Sequence, residues 1–71
     1  MKEKIMALYD RTLHNCQFYE KENDKLHLLS EIGCLRGIGY CLEEIGYDPA
    51  RDPEFIRFIG IAFEDLKGEP I

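Results

Sequence analysis

Apolar residues recur at helical spacing along almost the whole chain, and no stretch alternates as a strand would. Ile5, Leu8, Tyr9, Thr12, Leu13, Cys16 and Tyr19 share one face of a helix expected over about residues 2–20. The polar run EKENDK (20–25) interrupts this pattern, with Asn23 or Asp24 suited to capping the next helix. A second helix is expected over about 24–45. Its stop is well marked: Gly46 suits the left-handed position, Tyr47 can follow with an apolar contact, and Pro49 forbids continuation.

The Asp-Pro pairs at 48–49 and 52–53 predict a single turn and then the start of a third helix. That helix, expected over about 53–67, carries Phe55, Ile56, Phe58, Ile59, Ala62, Phe63 and Leu66 on one face. Ile61 falls outside that face. Gly68 is its expected stop. The fold class is therefore all-α: a single three-helix domain over residues 1–71, with a long antiparallel hairpin and a short third helix.

The second helix holds a puzzle. Gly33, Gly37 and Gly39 lie in its interior, where each glycine costs roughly 0.8–1.0 kcal/mol relative to alanine. On a helical wheel, Leu28, Ile32, Leu35, Ile38, Leu42 and Ile45 form an ordinary core face. Ser30, Gly33, Cys34, Gly37 and Cys41 form a nearly opposite face that is small except for Glu44. A helix that is apolar on two sides wants neighbours on two sides.

Three arrangements satisfy this small face. It meets its symmetry mate in a dimer, or the first helix crosses it, or it leaves room for a ligand. The dimer is favoured. It supplies the support that a 71-residue core lacks, and twofold pairs are the commonest assembly. Gly39 falls on the large face, where it either admits an aromatic side chain such as Phe58 or Phe63 or is a simple packing accommodation.

Composition narrows the function. The net charge is −5, while the first 25 residues balance five basic against five acidic side chains. No basic cluster suits nucleic acid or an anionic membrane. No apolar run suits a signal peptide or a span, so a cytoplasmic setting is expected. Cys16, Cys34 and Cys41 are an odd set that reads as reduced, buried thiols. There is no nucleophile elbow, phosphate loop or HExxH, and no metal-ligand spacing beyond a lone His27/Glu31 pair. No enzyme activity, cofactor or metal is expected.

Arg51 and Arg57 have Asp48 and Glu54 within reach on their own segments. Arg11 and Arg36 have no carboxylate three or four residues away on their own helices. Two functions follow as expectations. The first is a non-enzymatic interaction module, regulatory or inhibitory, acting as a homo-oligomer on another protein. Its interface would be Ser30, Gly33, Cys34, Gly37 and Cys41, with Phe18 as an outlying aromatic anchor. The alternative is a small-molecule binder or sequestering protein. Arg11, His14, Arg36 and Tyr40 would then grip an anionic or nucleotide ligand at a subunit junction.

Overall fold

A computed structural model describes the backbone of residues 2–67 and the side chains of residues 2–64. Helix α1 runs Lys2–Lys21 and α2 runs Lys25–Glu44. A one-turn 3-10 segment, Pro49–Arg51, leads into α3, Pro53–Lys67. The described chain is all-helical, with α1 and α2 packed as a hairpin. The side chain of Leu66 and the stop expected at Gly68 lie outside the described residues.

The two long helices end in the same way. In α1, Asn23 takes the left-handed conformation at φ 58°, its N–H bonding the Glu20 carbonyl at 3.1 Å. The next N–H, of Asp24, reaches the Tyr19 carbonyl at 3.0 Å. In α2, Gly46 at φ 88° donates to the Glu43 carbonyl and Tyr47 to the Leu42 carbonyl. Both are Schellman closures, which satisfy carbonyls that a helix end leaves orphaned. Asp24 then caps α2, its side chain accepting from the His27 N–H and meeting His27 Nδ1 at 2.7 Å.

The core is a single cluster. Tyr9 and Cys16 come from α1, Leu28, Ile32, Leu35 and Leu42 from α2, and Phe58 from α3. Arg57 braces the outside. Its guanidinium lies 4.5 Å from the Phe58 ring centroid and forks onto Glu20 of α1 and Glu54 of its own helix. The expected Arg57–Glu54 pair is therefore present, with a bidentate reach to α1 added. The expected Arg51–Asp48 pair is absent among the described residues. Asp48 Oδ1 instead accepts from the Ala50 N–H and holds the 3-10 turn.

Several expectations are corrected. Leu8, Ile56 and Phe63 follow the core spacing yet lie at the surface. The apolar arcs are wider than the stripes that three short helices can cover. Ile61, expected outside, packs against the core edge. Cys34 and Cys41 are exposed, and only Cys16 is buried. Among the described residues nothing packs directly on Gly33 or Gly37, where an added Cβ would meet no neighbouring atom within 4 Å; Leu8 and Arg11 of α1 only flank the strip. At Gly39 the neighbour is Phe55, not Phe58 or Phe63. An added Cβ would stand 2.9 Å from Phe55 Cζ. That ring also packs against Tyr9, so it is not free to retreat.

The glycines should thus separate in a stability series. Gly33→Ala and Gly37→Ala should each stabilise by about 0.5–1 kcal/mol. Gly39→Ala should fall below them by about 1–3 kcal/mol through overpacking. Chemical denaturation midpoints of the three variants check this ordering.

Candidate functional site

The helix that carries most of the singled-out residues is α2. It buries one stripe and leaves a groove on each flank. On the α1 side, Leu8 and Arg11 face Glu31, Cys34, Gly37 and Cys41 across a depression of about 460 Å³. On the α3 side, Arg36, Tyr40 and Glu43 face Phe55, Ile59 and Phe63 across one of about 230 Å³. Gly39 forms part of this second wall, which lets the Phe55 ring lie close to the helix backbone.

The expected interface residues Ser30, Gly33, Cys34, Gly37 and Cys41 are all exposed. They form one open strip of α2. Phe18 is exposed as well, its ring edge-on to Tyr19 at 5.5 Å. It belongs to α1 and lines neither groove. The four expected ligand contacts do not converge within one chain. Arg11 lies in the first groove, while Arg36 and Tyr40 lie in the second. His14 is in neither, and its Nδ1 meets the Asp10 carbonyl at 2.8 Å. The His27/Glu31 spacing is not used as a pair, since His27 turns to Asp24. Among the described residues, no three His, Cys, Asp or Glu side chains gather closely enough to hold a metal ion. Among them also, no helix is long and apolar enough to cross a membrane.

The strongest polar constellation was not anticipated. Asp52 Oδ2 accepts two phenol hydrogen bonds, from Tyr9 at 2.6 Å and from Tyr47 at 2.8 Å. Asp52 sits at the position expected to cap α3, but its carboxylate turns away to the tyrosines. The only available signal was Tyr9 itself, a phenol on a core face that must find a partner when buried. Burial, followed by the bond to Asp52, pushes the Tyr9 phenol well above its ordinary range. The bond to Asp52 raises Tyr47 as well. Burial pushes the Cys16 thiol up to about 12. The bonds from Arg57 hold Glu20 and Glu54 below the usual carboxylate value. Neither tyrosine opens into either groove. The cluster ties α1, the segment after α2 and the start of α3 together.

Two measurements test this account. The folded chain keeps protons on Tyr9 and Cys16 that the unfolded chain loses near the ordinary values of 10.0 and 9.0. Stability should therefore be full below pH 9 and fall as the pH rises through 9 to 10 and beyond. Tyr9→Phe should flatten the part of that fall above pH 10, as read by thermal melts across the range. Separately, a maleimide should label Cys34 and Cys41 in the native protein and Cys16 only in denaturant, counted by intact mass.

No protein-family model, curated protein or solved structure matches this chain.

Proposed function

We propose that this chain is a small non-enzymatic interaction module that works as a homo-oligomer joined through α2. One flank of α2 takes a second copy and the other meets the protein it regulates or inhibits. The observation that supports this is the exposure of α2 on both flanks. A 20-residue helix buries a single stripe. It leaves an open small strip on one side and an aromatic groove on the other. An apolar surface of this extent on so small a chain is what an interface presents to a partner.

Composition supports the same reading. The aromatic flank offers arginine, tyrosine and phenylalanine, the residue types enriched where binding energy concentrates. The small strip offers close backbone approach. A single-chain anion grip draws less support, because Arg11 is parted from Arg36 and Tyr40 by the width of α2.

Sedimentation equilibrium across a broad range of concentration tests the reading. An oligomer of defined stoichiometry is expected at micromolar concentration. A monomer throughout the range would overturn it. Gly37→Leu should leave the fold intact, because among the described residues a Cβ added there meets no neighbouring atom within 4 Å and opens onto the groove. It should abolish the contact made by the small strip, whether with a second copy or with the regulated protein.

A further inference from the structure

The two flanks differ in how their charges are placed. On the α3 flank, Arg36 and Glu43 carry opposite charges two turns apart, with Tyr40 between them. Neither makes an ion pair among the described residues. Tyr40 is 59% exposed and Phe63 is 53% exposed, so the centre of this groove is aromatic and open while its two ends are charged. An apolar centre with a charged rim is the anatomy of a protein interface.

The spacing selects the partner. Positions 36 and 43 are equidistant from the midpoint between Gly39 and Tyr40. A second α2 laid antiparallel about a twofold axis at that midpoint therefore brings Arg36 level with the partner's Glu43, and Glu43 level with the partner's Arg36. Both charges are matched without any residue beyond the chain itself. The small strip of α2 carries no such pair: Ser30, Gly33, Cys34, Gly37 and Cys41 are all uncharged and set no register for a second copy.

We propose that a second copy of this chain docks on the Arg36–Tyr40–Phe63 groove, its α2 antiparallel to this one and its Glu43 against Arg36. This rests on the reading of the chain as a self-associating module and names the contact. Tyr40 and Phe63 of both copies close over the axis, and two reciprocal ion pairs fix the register. The small strip then faces outward, free for a different protein.

Charge reversal tests the register. Arg36 and Glu43 are exposed and form no ion pair among the described residues, so Arg36→Glu and Glu43→Arg should keep native helicity by circular dichroism. Each single variant sets like charges together twice and should weaken the dimer at least about tenfold in sedimentation equilibrium at low salt. The double variant restores opposite charges at both ends and should recover dimerisation to near the native level. A native dimer indifferent to both single reversals, or a double variant that stays as weak as the singles, would overturn this contact while leaving self-association standing. A native chain that is monomeric throughout would overturn both.

Discussion

One carboxylate oxygen organises this fold. Asp52 Oδ2 receives the hydroxyls of Tyr9 from the first helix and Tyr47 from the segment just past the second. Asp52 itself stands where the third helix begins. Three parts of the chain that are distant in sequence are thus pinned at one atom. An α-helical hairpin of two long helices has no inherent reason to hold a third at a fixed angle. Here the charged acceptor supplies it, because hydrogen bonds to an ionised group are worth roughly 1.5–3 kcal/mol and are directional. Tyr9 is 1% exposed, so removing its acceptor would strand a phenol in the core.

The placement of α3 follows from that pin. Once Asp52 is fixed, Pro53 starts a helix whose second turn drives Phe58 into the space between α1 and α2. Arg57, one residue earlier, then lies on the outer side, where its fork reaches Glu20 of α1. The ion pairs there are exposed and contribute modestly, but their bidentate geometry fixes rotation of α3 about its axis. That rotation decides which aromatic residues remain outside. Phe58 goes in, and Phe63 stays at the edge of the groove with Arg36 and Tyr40.

Much of this was legible in the sequence, and the failures share one cause. Helix positions, the left-handed Gly46, the Asp48-Pro49 turn and the Asp24 cap each depend on residues within a few positions of one another. Local pattern carries that information. What a wheel gives is the direction of a side chain, not the depth of protein above it. Leu8 and Phe63 point the same way as buried neighbours, but each borders an open groove, Leu8 between α1 and α2 and Phe63 between α2 and α3. Cys34 and Cys41 are expected to be buried because thiols usually are, but α1 only borders their arc across an open groove and does not cover it. The Asp52 cluster was missed because it joins positions 43 residues apart, and no local spacing encodes it. The aromatic groove was half visible: Arg36 and Tyr40 stood out on α2, but their companion Phe63 came from another helix.

The glycines of α2 then divide by what surrounds them. Gly39 is explained inside the chain, since the Phe55 ring occupies the space a side chain would need. Gly33 and Gly37 have no such reason. Each weakens the helix relative to alanine, and among the described residues no neighbouring atom takes the space of the missing Cβ. A destabilising residue without an internal benefit points to a contact that the single chain does not contain. The small strip is uncharged, whereas the aromatic groove carries Arg36 and Glu43 on one face of α2. In the assembly proposed above, those opposite charges set the self-facing flank, and close approach at Gly33 and Gly37 is left to a backbone of different sequence.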